Sequence, residues 1–454
     1  MTVPPFALLA LAIPVLLLGE QLVARVRWLG RLNIPAPIVS GLLVAIAVLV
    51  TQRVSPGSLV IADRSASVVW QWLALPQWSF NPPAAWSKGS PPYVYAPLLI
   101  LFFTCIGLNA SWALARSGGL PLLGYLGLAT VFAALQYAVG IGTALASGVD
   151  PLVGIMCSGV SLMGGFGTAT SWSPDFEKSG LQGAATIGIA AAAFGVVAGG
   201  LLAGPLSGRL VEKKVKDRVV RPGPLDAALP IDAATSTAHT HDAADELVDE
   251  GGFLQDVANM TRAFGKTLVH LLVLALCLKL GAFLSAQLGG VQIGSQKLTF
   301  PIYMGSMIVA AILRNLHDLL GLRFIETKHV DLIASFALAW MLSAVMVTLQ
   351  LDKLAALAGP MLLILVAQVS LMAAFAYWVV FPLMGRNYDA AAMSAGMIGF
   401  GLGATSNAVA TMRQLARRYG PSPRAFLIVT VVGAFLIDFT NAFLIMGFLN
   451  WFKH

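Results

Sequence analysis

The sequence predicts an all-α integral membrane protein with about ten transmembrane helices and two re-entrant or discontinuous hairpins, in two inverted-topology repeats of five spans each. The first observation is composition: of 454 residues, 57% are hydrophobic and 11% are charged, whereas soluble domains are about a quarter charged. Apolar runs of the ~20 residues needed to cross a bilayer recur along the chain. Two glycine-rich stretches interrupt this pattern at similar places in the two halves.

Each long apolar run is interpreted as one transmembrane helix. The run that includes Phe6 has no basic residues ahead of it and lacks an obvious cleavage site, so it is interpreted as a first span rather than a signal peptide. The predicted spans are residues 4–22, 35–52, 95–115, 119–147, 181–210, 265–288, 299–316, 329–350, 355–384 and 422–450.

Two segments outside the spans differ in composition. Residues 55–94 are rich in Trp and Pro, and because Trp rings favour the headgroup region, we expect this loop to lie along one membrane face. Residues 212–252 are charged and polar without an apolar period, which is typical of a mobile, solvated linker. The linker divides the chain into a first repeat, residues 1–211, and a second repeat, residues 253–454.

Matching motifs predict that the two halves are repeats. Residues 37–41 (PIVSG) and 301–305 (PIYMG) each open the second span of their half. Residues 165–170 (GFGTAT) align with residues 401–406 (GLGATS). Chance similarity between apolar sequences is the alternative, and the shared order of the motifs argues against it.

The placement of basic residues predicts the orientation, because Lys and Arg concentrate in cytoplasmic loops. If the basic linker is cytoplasmic, the five spans before it put the N-terminus outside, and Arg25, Arg27 and Arg31 fall inside. An odd number of spans in each half requires the two halves to point in opposite directions. Both termini are then expected on the outer side of the membrane.

The two glycine-rich breaks are expected to form a site. Each glycine weakens a helix by about 0.8–1 kcal/mol relative to alanine, and irregular backbone at membrane depth survives only inside protein or beside a watery cavity. The broken segments are predicted at residues 150–176, with SLMGGFGTATS at 161–171, and at 388–413, with GMIGFGLGATSN at 396–407. Glycines that merely let helices pack closely are the alternative. The repetition of the break at equivalent places favours a site.

Main-chain groups and small polar side chains at the breaks are the expected ligands. Half-helix N-termini favour anions. Asp438 lies near the middle of the last span, where a carboxylate costs about 2.5–3.5 kcal/mol and therefore needs a polar cavity or partner. An Asp satisfied by neighbouring helices is the alternative. The predicted substrate-binding residues are Gly165, Gly167, Thr168, Thr170, Gly403, Thr405, Ser406, Asn407, Asp438 and Asn441.

A set of oxygen ligands is predicted for Na+, because freed carbonyls and hydroxyls suit a dehydrated cation. Gln136 and Gln368 occupy similar places in the span before each break, although an amide can also simply bridge two helices. No Lys or Arg lies clearly at midplane depth, so an anionic substrate would be neutralised by helix N-termini, hydroxyls or co-transported cations. The predicted sodium-binding residues are Ser161, Gln136, Ser171, Gly401 and Gln368.

Several segments of the chain resemble the bacterial sodium/glutamate symporters. The resemblance rests on residues 159–171 (GVSLMGGFGTATS), 136–140 (QYAVG), 387–404 (NYDAAAMSAGMIGFGLGA) and 420–441 (GPSPRAFLIVTVVGAFLIDFTN). It implies a homodimeric inner-membrane carrier that couples L-glutamate uptake to the sodium gradient, with a moving transport domain and a fixed scaffold. The chain departs from the family pattern at Phe166, where His is expected, and at Ser406 and Asn407, where Pro and Thr are expected.

These departures leave alternative functions open. A carrier of the same architecture for citrate, aspartate or another carboxylate is the first, and a channel is the second. An enzyme is disfavoured because the spans lack a nucleophile–base pair or a His/Asp/Glu cluster. The net charge of +7 is scattered over loops, which does not indicate a nucleic-acid partner. Cys105, Cys157 and Cys277 are widely spaced in apolar runs and predict neither disulfide nor metal site, and no cofactor besides the coupling ion Na+ is expected.

Overall fold

A computed structural model describes residues 2–26, 35–55, 60–78, 92–214, 253–289, 292–293, 296–297, 301–322, 324–403 and 405–452. Within these ranges the chain is helical apart from two pairs of two-residue strands, so the all-α class is confirmed. Eight helices of the described part are long and apolar enough to cross a membrane: Pro5–Arg25, Ala36–Val54, Gly119–Ala146, Ala184–Glu212, Gly265–Leu288, Thr327–Val347, Leu354–Leu383 and Pro423–Phe452.

Two other predicted spans are shorter or more polar than expected. The run predicted at 95–115 forms a 14-residue helix, Ala96–Asn109, because the chain leaves helical geometry at Ala110 (φ −78°, ψ 75°) before the short helix Trp112–Ser117. The run predicted at 299–316 forms the 18-residue helix Ile302–Leu319, whose last turns carry charged and polar side chains.

Two of the long helices contain π turns. Leu351–Phe375 continues through a π turn at Ala376–Val380 into a final turn, Phe381–Leu383. The last span, Pro423–Phe452, contains a π turn at Val432–Leu436, after which the helix Ile437–Phe452 begins. Such turns occur often at functional sites, because they displace the residues that follow them around the helix.

The helices pack as two groups. The first helix group contains Pro5–Arg25, Ala36–Val54, Ala96–Asn109, Phe253–Leu288, Ile302–Leu319 and Thr327–Val347. The second helix group contains Gly119–Ala146, Ala184–Lys214, Leu351–Leu383, the last span and two broken segments. The first broken segment is Pro151–Val160 followed by Gly165–Lys178, and the second is Tyr388–Leu402 followed by Thr405–Tyr419.

The described part of the 55–94 loop is held to the first helix group. Thr2–Val3 pairs in parallel with Val60–Ile61, and a short helix at Val68–Gln71 continues as a 3₁₀ turn, Trp72–Ala74. The buried ammonium of Lys279 donates hydrogen bonds to the carbonyl oxygens of Trp72, Leu75 and Gln77 at 2.9, 3.0 and 2.5 Å. Carbonyls at a helix C-terminus favour a cation, which explains how a lysine is accommodated within an apolar helix.

Two further features complete the chain. A second strand pair, Gln292–Ile293 with Gln296–Lys297, is antiparallel. Most of the predicted linker, from residue 215 to 252, lies outside the described residues.

Candidate functional site

Both broken segments begin with the same local design. Asp150 caps the helix that starts at Pro151 by accepting a hydrogen bond from the Leu152 amide at 2.8 Å. Asn387 caps the helix Tyr388–Leu402 by accepting one from the Ala390 amide at 2.9 Å. In each case a positive-φ glycine, Gly148 or Gly385, stands two residues before the cap and turns the chain. Each segment then breaks before its second helix begins.

The second break is narrower than the glycine pattern predicts, and the first begins earlier. The first segment leaves helical geometry at Ser158 (φ −111°, ψ −133°) and remains irregular at residues 161–164. The second break lies at residues 403–404, of which 404 falls outside the described residues. Gly399 and Gly401 lie inside the helix Tyr388–Leu402. Gly399 has a packing role there, because a Cβ on it would lie 2.4 Å from the backbone of Ala408. These glycines therefore serve close helix packing, the alternative considered for them.

The tips of the two broken segments meet. Gly165 adopts φ +68°, a conformation that favours glycine, and a Cβ on it would lie 3.3 Å from the carbonyl oxygen of Gly403. The helix that Gly165 opens has no side chain capping its first amides. The first N–H groups of this helix lie at the meeting point and carry the partial positive charge of a helix N-terminus.

A cavity of about 260 Å³ lies at this meeting point. Its walls come from both helix groups: the two tips and the last span on one side, and the helices Ala96–Asn109 and Thr327–Val347 on the other. None of its lining residues is Lys or Arg. The residues that line it are Phe102, Phe103, Ile106, Asn109, Leu114, Met163, Gly164, Gly165, Phe166, Gly167, Asp331, Ala334, Leu338, Gly403, Thr405, Thr430, Val431, Gly433, Ala434, Phe435 and Asp438.

Five of the predicted substrate-binding residues line this cavity: Gly165, Gly167, Gly403, Thr405 and Asp438. Asp438 comes directly after the π turn of the last span and is partly buried. Its carboxylate accepts no side-chain or backbone hydrogen bond and forms no ion pair within the described part of the chain. The Thr405 hydroxyl donates to the carbonyl oxygen of Gly433 at 2.5 Å, which ties the second tip to the last span.

Three predicted residues with hydroxyl groups lie outside the cavity lining, and two of them bond to their own helix. The Thr170 hydroxyl donates to the Phe166 carbonyl at 2.8 Å, and the Ser171 hydroxyl donates to the Thr168 carbonyl at 2.9 Å. Thr168 itself is buried against Gly164. None of the three lines the cavity.

The predicted asparagines tie the broken segments to other helices. The Asn407 amide donates to the Val196 carbonyl at 2.8 Å. The Asn441 amide donates to the Gly159 carbonyl at 2.9 Å, and its oxygen accepts from the Tyr137 hydroxyl at 2.7 Å. Both asparagines are buried away from the cavity lining, and the side chain of Ser406 lies outside the described residues.

Gln136 and Gln368 are brought together behind the tips, as members of the predicted sodium set. The Gln136 amide donates to the Gly401 carbonyl at 3.0 Å. The Gln368 amide donates to the Gln136 carbonyl at 2.8 Å and to the Ser158 hydroxyl oxygen at 2.9 Å. Each glutamine thus contacts the broken segment of the other half. Both side-chain oxygens are buried without a hydrogen-bond partner among the described residues.

Of the other three members of the predicted sodium set, Gly401 accepts the hydrogen bond from Gln136, and Ser161 and Ser171 lie in the first broken segment. The Ser161 hydroxyl donates to the Met156 carbonyl at 2.5 Å, and Ser171 bonds within its own helix as described above. Within the described part of the chain, neither hydroxyl donates a hydrogen bond to a glutamine side-chain oxygen.

Among the cavity residues that were not predicted are two polar residues that contact each other, Asn109 and Asp331. They come from different helices of the first group, and the Asn109 amide donates to the Asp331 carboxylate at 2.7 Å. Each lies close to the end of its predicted span, where a polar residue is ordinary. Because their positions are 222 residues apart in sequence, only the fold brings them together.

Comparison with known proteins identifies the family of the chain. The family model described as sodium/glutamate symporter matches residues 3–63 and 92–421. The sodium/glutamate symporter of Escherichia coli (strain K12) is 34% identical over 444 residues, which cover 98% of this chain and 96% of that protein. The protein of the same name from Haemophilus influenzae is 32% identical over 445 residues, with the same coverage of each chain. The resemblance stated from the motifs is confirmed, and the chain belongs to the sodium/glutamate symporter family.

Proposed function

We propose that this chain is a secondary transporter that couples uptake of L-glutamate to the movement of Na+ across the bacterial inner membrane. The observation that carries the proposal is the cavity at the meeting point of the two broken segments, lined by Gly165, Gly403, Thr405 and Asp438. Membership of a symporter family, in which the relatives are named sodium/glutamate symporters, supports a transporter and not an enzyme.

The cavity chemistry suits an amino acid with an extra carboxylate. Carboxylates would bind the uncapped amides of the helix that begins at Gly165, because helix N-termini favour anions. The Asp438 carboxylate, which has no ion-pair partner in the described part of the chain, would bind the α-ammonium group. With no Lys or Arg in the lining, the substrate's negative charge would be balanced by helix N-termini and by co-transported cations.

The coupling ion Na+ would bind the side-chain oxygens of Gln136 and Gln368, which have no hydrogen-bond partner among the described residues. Gln136 and Gln368 lie behind the tips, and Gln136 is bonded to Gly401 in the second tip. A Na+ ion that binds their oxygens would hold the tip in its present arrangement. Binding of Na+ would then favour the arrangement that binds substrate. The coupling free energy between ion and substrate would be set by the difference in Na+ affinity between this arrangement and the one that does not bind substrate.

The proposed architecture is a pair of inverted repeats, residues 1–211 and 253–454, joined by a cytoplasmic linker at 212–252. The matching positive-φ glycines and caps, Gly148 with Asp150 and Gly385 with Asn387, support it. The second helix group, which contains both broken segments, would be the moving domain of an elevator mechanism. The first group would be the scaffold of a homodimer, and both chain termini would lie outside, as the basic residues predict.

Glutamate uptake into proteoliposomes, with and without an imposed Na+ gradient, tests this function. We expect glutamate to accumulate above its external concentration only when external Na+ exceeds internal Na+, and we expect the initial uptake rate to saturate with substrate concentration. Competition by aspartate and citrate separates glutamate from other carboxylates. Counterflow of glutamate without sodium would contradict the coupling, and ionic currents far above carrier turnover would indicate the channel alternative.

A further inference from the structure

The cavity wall formed by the first helix group carries a carboxylate, Asp331, that no cationic side chain of the described residues neutralises. Asp331 is 6% exposed and lies one turn into the helix Thr327–Val347. One of its carboxylate oxygens accepts the Asn109 amide at 2.7 Å. The other is buried without a hydrogen-bond partner in the described part of the chain, as is the side-chain oxygen of Asn109.

The geometry of Asn109 leaves its oxygen available. Its NH₂ group donates to Asp331, and its side-chain oxygen has no donor in the described part of the chain. The corner after Asn109 is fixed by Asn315, whose side chain donates to the Ala110 carbonyl at 2.9 Å and accepts from the Trp112 amide at 2.6 Å. Two oxygen acceptors, one of them charged, therefore stand together beside the cavity without a donor.

Asp331 forms no ion pair within the described part of the chain. Lys328, one turn earlier on the same helix, is exposed and forms no ion pair among the described residues. Lys266 pairs with Glu326 at 2.7 Å, and Arg314 pairs with Asp318 at 3.1 Å. A helix N-terminus offsets only a small part of the cost of burying a carboxylate, and an unpaired buried charge is strongly destabilising. A mobile cation that enters through the cavity would satisfy both oxygens.

We propose that Asn109 and Asp331 form a binding site for a small monovalent cation, Na+, on the cavity wall opposite the two tips. The ligands are the unpaired Asp331 carboxylate oxygen and the Asn109 side-chain oxygen, completed by water from the cavity. A carboxylate and an amide oxygen suit a hard cation, which prefers oxygen ligands. The site belongs to the first helix group, so it is separate from the glutamine oxygens in the second group.

This inference rests on the proposed function for its consequence. Without a cation, Asp331 and Asp438 would both face an anionic substrate in a cavity of about 260 Å³. Carboxylates that share one cavity repel each other, and this repulsion is stronger where water is excluded. A Na+ ion on the fixed wall removes one of these charges and thereby raises the affinity for substrate, although the ion is not itself carried with the moving group.

Binding of ²²Na+ to the purified protein in nanodiscs, without glutamate, tests the site directly. Asp331→Asn keeps the shape and removes the charge, and we expect it to bind one Na+ fewer per protomer than the unmodified protein. Asn109→Ala removes the second ligand, and we expect at least a tenfold weaker affinity for one Na+ ion. Asp352→Asn, which removes an exposed carboxylate from the start of Leu351–Phe375, is the matched control and should bind Na+ normally.

The outcomes separate this inference from the function on which it rests. Unchanged Na+ binding by both Asp331→Asn and Asn109→Ala would overturn the site, and would show that water satisfies the two oxygens. In proteoliposomes, Asp331→Asn is expected to need a higher Na+ concentration than the unmodified protein for half-maximal glutamate uptake. A protein that binds the predicted ion at Asp331 but shows no Na+-driven uptake would contradict the function and leave the site standing.

Discussion

Asp438 is placed by a backbone irregularity and not by helical periodicity alone. The π turn at Val432–Leu436 ends just before it, and the Thr405 hydroxyl bonds to Gly433 within that turn. The carboxylate therefore lies in the cavity beside the second tip. A regular helix through the same residues would rotate Asp438 relative to the tip, since a π turn inserts an extra residue.

Replacing Asp438 by Asn should remove the charge that binds the substrate ammonium group and keep the side-chain shape. A hydrogen bond to a charged group contributes about 1.5–3 kcal/mol, so the KM for glutamate is expected to rise by roughly 10- to 150-fold. Initial uptake rates over a range of glutamate concentrations measure this effect. The control is Asp352→Asn, and near-normal uptake by Asp438→Asn at an equal protein level would remove Asp438 from the site.

At the scale of single residues, the sequence identified the chemistry better than the direction of each side chain. Asp438 stands out because a carboxylate in an apolar run is costly wherever it points. Thr170 and Ser171 were less predictable, since a hydroxyl in a helix can turn back to its own backbone, as both do. Nothing in an apolar helix without a polar stripe indicates which face a small hydroxyl occupies.

Close contact between two glycines joins the first broken segment to the helix before it. A Cβ on Gly140 would lie 2.5 Å from the Gly154 carbonyl oxygen and 1.9 Å from the Ser158 hydroxyl. A Cβ on Gly154 would lie 2.4 Å from the Gly140 carbonyl oxygen. Small residues allow such approach of membrane helices. The contact also positions Ser158, which accepts from Gln368.

Gly140→Ala should force these two helices apart. Overpacking of this kind costs about 1–3 kcal/mol, and the shift would also disturb the Gln368–Ser158 hydrogen bond. We expect a lower midpoint of thermal unfolding in detergent and a higher Na+ requirement for uptake. Gly142→Ala lies two residues further along the same helix, where a Cβ meets nothing within 4 Å, and should leave both properties unchanged. Equal effects of the two substitutions would show that the contact is unimportant.

The elements themselves were largely predictable, for a physical reason. Composition and length determine which runs can cross a bilayer, and eight of the predicted spans correspond to the long apolar helices. Glycine clustering located both breaks within a few residues. The exact end of the helix at Leu402 was not predictable, because Gly399 and Gly401 are retained by tertiary packing that outweighs their low helix propensity.

At the scale of the whole molecule, the candidate site lies between two packed helix groups. The tips and Asp438 belong to the second group, whereas Asn109 and Asp331 belong to the first. A substrate in the cavity would therefore contact both groups. If the second group moves, as proposed, every polar contact between the groups must break and reform in each cycle.

One polar cluster of this kind lies outside the cavity lining, where Arg64 and Tyr93 meet the first broken segment at Glu177. The Arg64 guanidinium pairs with the Glu177 carboxylate at 3.4 Å and lies 4.3 Å from the centre of the Tyr93 ring. The Tyr93 hydroxyl donates to Glu177 at 2.7 Å. Burial and the neighbouring Glu177 carboxylate raise the pKa of Tyr93 above its ordinary value, so this hydroxyl remains a donor at neutral pH.

Breaking this cluster should lower the population of the present arrangement of the two groups. The ion pair is partly exposed, with side-chain exposures of 32% and 23%, so it contributes about 0.2–1 kcal/mol. Glu177→Gln is therefore expected to lower the equilibrium ratio of the present arrangement to the alternative one by up to about fivefold. The reporter is a disulfide between Thr186→Cys, on a second-group helix, and Gln350→Cys, in the connection that follows the first-group helix Thr327–Val347. The backbone amide of Gln350 donates to the Thr186 hydroxyl at 3.1 Å.

The rate of this cross-link in membranes gives a direct readout of the arrangement, since the native cysteines Cys105, Cys157 and Cys277 are buried. We expect slower cross-linking with Glu177→Gln, and recovery in the double variant Arg64→Glu with Glu177→Arg, which restores opposite charges. Lys178→Gln is the matched control, because Lys178 pairs only along its own helix with Asp175. If Glu177→Gln cross-links as fast as the unmodified pair, the cluster does not hold the two groups together, and other contacts between them set the arrangement.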